Sequence, residues 1–311
     1  VTASPAARPR SPRAVIALLA VTIVWGWSFI WIKTSLTAAE RVLGHPGGPP
    51  VVSLYVAVRF GIAALVLALW PRARTGLDRG AWRAGGILGG LLFSGFLFQM
   101  IGLEHVSPPV SAFLTSLYVV FAAILTSWQH RTRPHFPFLI GVLLATFGAG
   151  FIEGPPQLTY GLGEWLTVAS AFIFALHILM TDRLTKEHAS LAVTLAMFVV
   201  TAGAAVVSLG VCSTRAAAPA MAEMLTLLHT RDFIVPLLLS TFLGTVIALT
   251  LINVFQKAMD PVRAAILYAL EPIWTTVIAA MLGFGLPGFW LWIGGGALLA
   301  GNVIAELGVE E

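Results

Sequence analysis

The sequence predicts an all-α polytopic membrane protein with ten transmembrane helices, arranged as two inverted five-helix repeats. Three observations carry this. Ten apolar stretches approach the roughly 20 residues a helix needs to cross a bilayer. The basic residues collect in alternate gaps between them. Turn-forming residues recur at one shared spacing in the two halves.

Composition excludes a soluble globule. The chain is 58% hydrophobic and 10% charged, with a mean hydropathy of +0.90. Soluble domains carry about 25% charged residues. With so little polar surface, lipid must cover the rest. The net charge of +4 and pI near 9.6 do not point to nucleic acid. The basic residues sit in short loops beside apolar runs, as topogenic signals do.

The elements follow in order. A tail, 1–13, carries Arg8, Arg10 and Arg13. The first span, 14–35, continues past Trp31 without a small-residue cleavage site. It is too long for the apolar core of a signal peptide and reads as a retained helix. The second span, 51–70, lies between the cluster Pro46 to Pro50 and Pro71. The third is 82–104. The fourth, 108–129, opens on Pro108 and Pro109, and the fifth, 136–153, follows Pro134. Pro155 and Pro156 separate the halves. The sixth and seventh spans are 160–182 and 190–212. The eighth is 233–256. The ninth, 262–284, follows Pro261, and the tenth, 287–307, opens on Pro287. The first repeat is then 14–153 and the second 160–307, with a second tail at 308–311. The loops 37–50 and 213–232 are the longest, and neither reads as a domain. Cys212 has no second cysteine to pair with, so no intramolecular disulfide forms.

With a cytoplasmic N-terminus, thirteen Lys and Arg residues fall inside and four, Lys33, Arg41, Arg215 and Arg231, fall outside. The bias assigns both termini to the cytoplasm. The halves share an offset of 153: Pro108 matches Pro261, Gly141 matches Gly294, and Gly148 matches Gly301. The first helices match more loosely, Trp25, Gly26 and Phe29 against Phe174, Ala175 and Ile178. An odd number of spans per repeat inverts the second copy. Inverted repeats set a substrate site near the midplane and give alternating access.

Ionisable groups inside a membrane cost about 2.5–3.5 kcal/mol each on insertion scales, so they face a cavity or a partner. Arg59 lies mid-way along the second span and Glu271 mid-way along the ninth. Each reads as a substrate contact or as a structural charge, and Glu271 also as a proton carrier. Pro272 frees a carbonyl one turn earlier and is the candidate hinge. Tyr268, Glu271 and Thr275 share a helical face. Ser107, Ser111, Thr115 and Tyr118 form a similar stripe, as cavity lining or as helix-packing hydroxyls. Gln99 is the deepest neutral polar group. Asn253 belongs with it, while Gln256 reads as a loop anchor at the inner surface. His177, one turn from Asp182, reads as interfacial or as a titrating site residue. Trp27 and Trp31 share a face and offer an aromatic cavity wall or bulky packing. Trp70, Trp82, Trp128, Trp165, Trp290 and Trp292 fall near span ends as belts. Gly86 with Gly90, and the run Gly294 to Gly296, read as close-approach positions.

These features resemble the EamA-type ten-helix branch of the drug/metabolite transporter superfamily. The resemblance rests on Trp25-Gly26 followed by Lys33, on Arg59-Phe60 with Ala63-Ala64, and on Ala264-Ala265 through Leu270-Glu271-Pro272. The Gly294 and Gly301 spacing completes it. The family's fourth-helix proline would fall at Val119, and its acidic residue before the tenth helix is replaced near Gly285. The resemblance implies a secondary or facilitative carrier of small metabolites, amino acids including aromatic ones, exporting across a bacterial cytoplasmic (inner) membrane. Its partners would be a small-molecule substrate and the lipid bilayer. The chain is expected to be monomeric, with no nucleic acid and no cofactor. No GxxxxGK[ST] loop points to ATP. The rival readings are an intramembrane enzyme, which lacks HExxH, GxSxG and any clustered Asp/His set, and a channel or scaffold.

Overall fold

The computed structural model of the chain describes residues 12–130, 136–150, 160–214, 219–258, 264, 267–268, 270–283 and 288–307. Residues 1–11 of the first predicted tail, the second tail 308–311, Pro134, Pro155, Pro156, Pro261, Ala265, Gly285 and Pro287 lie outside them, while Pro12 and Arg13 of the first tail already belong to a helix. The described residues are helical, with no strand among them. That is the one open-ended solution a membrane permits, because a helix satisfies its backbone polar groups within itself.

Helix α1 runs Pro12–Leu43, α2 Gly48–Ala68, α3 Pro71–Thr75 and α4 Arg79–His105. Then come α5 Pro108–Thr115, α6 Tyr118–His130 and α7 Phe136–Gly150. The second half holds α8 Leu162–Glu187, α9 Ser190–Ser213, the short α10 Met221–Leu227 and α11 Arg231–Leu239. A π-helical segment, Ser240–Ile247, joins α11 to α12, Ala248–Phe255, and a 3₁₀ turn, Gln256–Ala258, follows. Helix α13 is Glu271–Met281 and α14 is Phe289–Leu307.

Seven described helical stretches are long and apolar enough to cross a membrane; counted this way, α5 with α6 and α11 through α12 make one stretch each. Helices α7, α13 and α14 stand where the fifth, ninth and tenth spans were expected; parts of those spans lie outside the described residues. Helix α1 exceeds its predicted end by eight residues. Leu36 to Leu43 contains Thr37-Ala38-Ala39-Glu40, and good helix formers continue a helix past its apolar stretch. Its end meets the start of α11 through Arg41 and Asp232, 3.8 Å apart and well exposed, a pair worth little. The second long loop contains α10, which buries Met224 and Leu227.

The packing is chiefly between the halves. Helix α4 lies along α8 and α9, α2 along α9, α1 along α13 and α11, and α7 along α14. In the α7–α14 pair the contact is reciprocal. A Cβ on Gly148 would sit 2.5 Å from the Gly294 carbonyl and 2.3 Å from the Leu298 nitrogen. A Cβ on Gly301 would sit 2.6 Å from the Gly141 carbonyl and 2.3 Å from the Ala145 nitrogen. Each residue touches positions that stand 153 residues from neighbours on its own helix.

The close approach of α4 and α9 uses Gly85 and Gly89. A Cβ on Gly85 would meet Ala196 Cβ at 2.3 Å, and one on Gly89 would meet the Met197 carbonyl at 2.8 Å. Gly86 and Gly90 have nothing within 4 Å, which corrects the expectation. One residue is about 100° around a helix, and apolar neighbours hide that difference from the sequence. Gly295, not Gly296, meets the Phe113 ring. Trp70, Trp82, Trp128, Trp165 and Trp292 are exposed near helix ends, as belts require.

Candidate functional site

A cavity lies where the two halves meet. It holds about 70 Å³ in which the centre of a water can move. Its walls come from α1, α2, α4, the α5–α6 junction, α8, α12 and α13. Of the residues predicted to form a site, Arg59, Gln99, Tyr118, His177, Tyr268 and Glu271 all line it. Trp27 and Trp31 do not. They stack on each other with centroids 5.9 Å apart, and Trp27 packs against the small cluster of Ile30, Ile278 and Ala279. The tryptophan that faces the cavity is Trp25, two residues and about 200° away on the helix.

Trp25 explains the first sequence signature. Its ring meets Tyr268 at 5.7 Å, and its indole Nε1 donates to the Gly244 carbonyl at 3.1 Å. The following Gly26 lets α13 close in, since a Cβ there would stand 2.7 Å from Trp274 Cβ. Trp274 reaches back across the same contact to donate to Thr22 Oγ1 at 3.1 Å. Lys33, two turns on, is outside the cavity. Its ammonium donates to the carbonyls of Leu103, Glu104 and Val106 at 2.7, 3.1 and 3.1 Å, where a cation suits the C-terminus of α4. Glu104 Oε1 in turn accepts from the Gly48 nitrogen at 2.9 Å.

Arg59 is 1% exposed. Its Nε donates to Thr245 Oγ1 at 2.5 Å, and its guanidinium lies 4.7 Å from the Phe96 ring centroid. A desolvated cation over an aromatic face gains about 2 kcal/mol. Its Nη1 and Nη2 are buried and have no hydrogen-bond partner among the described residues. Thr245 belongs to the π-helical segment, where its hydroxyl also donates to the Ser240 carbonyl at 3.1 Å. One turn before Arg59, Tyr55 reaches the same segment through Ser240 Oγ at 2.5 Å. The segment follows Pro236 inside α11. π-helical turns are rare and are found mostly at functional sites. Nothing in the local sequence pattern announces it.

Glu271 is the first residue of α13, and Pro272 the second. A proline there removes a donor that would have no partner at a helix start. Leu267 and Tyr268 before it are helical as well, so Pro272 stands where a helix resumes just after Leu270. Tyr118 opens α6 after the break at Ser116 and Leu117. Its hydroxyl is buried and unpaired among the described residues. That break lacks the family's proline. Instead Asn302 Nδ2 donates to the Ser116 carbonyl and to Ser116 Oγ, each at 3.1 Å. Of the rest of the polar stripe, Ser107 caps α5, Ser111 Oγ is buried without a partner, and Thr115 Oγ1 accepts from Gln99 Nε2 at 3.2 Å.

Two expectations need correcting. His177 is buried, not interfacial, with Nε2 3.5 Å from Met197 Sδ and Nδ1 3.4 Å from Thr181 Oγ1. Helix α8 runs to Glu187, so His177 stands ten residues from its end. Gln256 is not a loop anchor. It accepts from the Tyr268 hydroxyl at 3.2 Å and donates to the Ile178 carbonyl at 3.1 Å, because the 3₁₀ turn packs against α8 and α1. Asn253 donates to Thr194 Oγ1 at 2.7 Å and is not among the cavity's lining residues. Sequence reasoning missed Trp25, Phe96 and Phe174 as wall residues, since aromatics in apolar helices carry no mark of the face they occupy.

The charges of the cavity stand apart. Three ion pairs occur among the described residues, and all lie elsewhere: Arg41 with Asp232, Arg183 with Glu187, and Lys186 with Asp182. Arg59 and Glu271 share an aromatic and aliphatic chamber without pairing. Such a site suits a small amphipathic molecule with charge at fixed points. No group of three His, Cys, Asp or Glu that could hold a metal occurs among the described residues.

Comparison with known proteins agrees with this architecture. Residues 12–153 match the EamA-like transporter family. An uncharacterized transporter of Archaeoglobus fulgidus is 27% identical over 173 residues, which is 56% of this chain and 50% of that protein. The chain thus matches about half the length of this relative. A protein crystal structure, 18% identical, superposes with a TM-score of 0.55 over 92% of this chain and 96% of the other. That likeness concerns the fold alone.

Proposed function

From the match of residues 12–153 to the EamA-like transporter family we propose that the protein is a secondary or facilitative carrier of small metabolites, amino acids including aromatic ones. It works by alternating access and exports its substrate. The observation that carries this reading is the cavity between the halves, with aromatic walls and a cation and a carboxylate that form no ion pair among the described residues. The reciprocal contact of Gly148 and Gly301 supports an inverted pair of repeats, 14–153 and 160–307. Such a pair exchanges conformations about a site near the midplane. The bias of basic residues supports cytoplasmic termini in a bacterial inner membrane. The carrier acts as a monomer, and catalysis has no part in it.

Uptake of labelled phenylalanine into proteoliposomes, with and without an imposed pH gradient, tests the reading. Saturable uptake supports it, and a rate that follows the gradient adds proton coupling. Non-saturable ion flux would indicate a channel. Hydrolytic activity without transport of any small metabolite would indicate an enzyme.

A further inference from the structure

We propose that Arg59, with Ser28 beside it, forms a subsite for the carboxylate of the transported molecule. This rests on the carrier reading and specifies which part of the substrate meets which wall.

The guanidinium is fixed on three sides. Thr245 takes Nε, Phe96 covers one face at 4.7 Å, and Phe60 lies 5.7 Å away. Phe174 braces Phe96 edge-on at 5.7 Å. What remains is the end of the fork, Nη1 and Nη2, two buried charged donors without a partner among the described residues. A purely structural arginine in apolar surroundings would spend those donors on backbone carbonyls. Leaving them unmet costs more than leaving a neutral group unmet. The pair matches a carboxylate, which accepts two parallel N–H···O bonds from such a fork.

The neighbouring backbone is shaped for the same purpose. A Cβ on Gly244 would stand 3.3 Å from Arg59 Nη2 and 3.3 Å from Ser28 Oγ. The glycine therefore keeps open the space between a charged donor and a hydroxyl that also lines the cavity. Its carbonyl is already taken by Trp25, so it does not turn toward Arg59 as a competing acceptor. Glu271 lines the same chamber without pairing to Arg59, which leaves the opposite charge available for a substrate ammonium. The occupant could also be a small inorganic anion; the proposal commits to the substrate's own carboxylate.

The test uses full-length protein in lipid nanodiscs and three probes: L-phenylalanine, L-phenylalaninamide and 3-phenylpropionate. Titration calorimetry should give the acid at least a tenfold tighter dissociation constant than the amide. Arg59→Gln and Arg59→Lys should erase that discrimination. If neither variant folds, the comparison of acid and amide on the unaltered protein still decides. Equal binding of acid and amide overturns the proposal. So does discrimination that persists in Arg59→Gln. Failure of phenylalanine with Arg59-dependent binding of 3-phenylpropionate would overturn the amino acid reading and keep the subsite. No saturable binding of any probe overturns the subsite.

Discussion

Tyr118 and Glu271 stand 153 residues apart, each begins a helix that restarts within the protein, and both open onto one cavity. The separation is the offset at which the glycines of α7 and α14 face each other. Two interruptions 153 residues apart bring an aromatic hydroxyl and a carboxylate to the same chamber. Broken helices at a shared interface are where transporters hold their substrates.

Glu271→Gln should lower the initial rate of phenylalanine uptake at least about tenfold, the scale of one lost charge-assisted contact. Ser111→Ala should leave it within about twofold, because the Ser111 hydroxyl is buried and has no partner to lose among the described residues. Proteoliposome uptake of both variants checks this. Equal rates would remove Glu271 from the site.

Thr245→Val removes the acceptor of Arg59 Nε. A hydrogen bond to a charged group contributes about 1.5–3 kcal/mol, so the variant should unfold more readily in detergent. Tyr55→Phe, which removes a neutral contact to Ser240, should cost about 1 kcal/mol. Thermal unfolding that ranks the two the other way would contradict the account of the guanidinium's support.

Gly85→Ala and Gly86→Ala should separate sharply, although they are adjacent. The first drives a methyl to 2.3 Å from Ala196 Cβ, and overpacking of this kind costs about 1–3 kcal/mol or more. The second meets nothing within 4 Å and should be neutral or stabilising by up to about 1 kcal/mol. Yield and melting temperature of the purified variants measure the difference.

Trp25→Phe should change the affinity for aromatic substrates, whereas Trp27→Phe should not. The first loses the indole bond to Gly244 and reshapes the wall against Tyr268. The second alters a stack outside the cavity. A competition assay with tryptophan and phenylalanine reads the contrast.

Much of this was legible in the chain because the bilayer is an unforgiving solvent. Charge inside an apolar run is costly, so Arg59 and Glu271 stood out, and both line the cavity. Proline marked the starts of α3 and α5, and the glycine spacing marked where α7 and α14 meet. Trp25 and Trp27, or Gly85 and Gly86, were not separable, because an all-round apolar helix gives neighbouring residues the same background. His177 and Gln256 were misjudged for a different reason. Their depth depends on where α8 and α12 end, and hydropathy blurs helix ends. The π-helical segment left no trace, since Thr245 and Gly244 serve equally well in an ordinary helix.

That segment also sets how the chain length is apportioned. Eight residues, Ser240–Ile247, wind more loosely than the turns on either side, so the stretch carries surplus chain within a continuous rod. Excising one residue there would let the stretch rewind as α-helix with the flanking turns nearly in register, because the wider turn is what absorbs the surplus residue. Leu249 and Ile252, and with them Gln256, would keep their places on the cavity wall, while Gly244 and Thr245, which meet Trp25 and Arg59, would be displaced. Related sequences that differ by a single residue in this stretch would therefore change the support of the guanidinium and leave the downstream wall as it is.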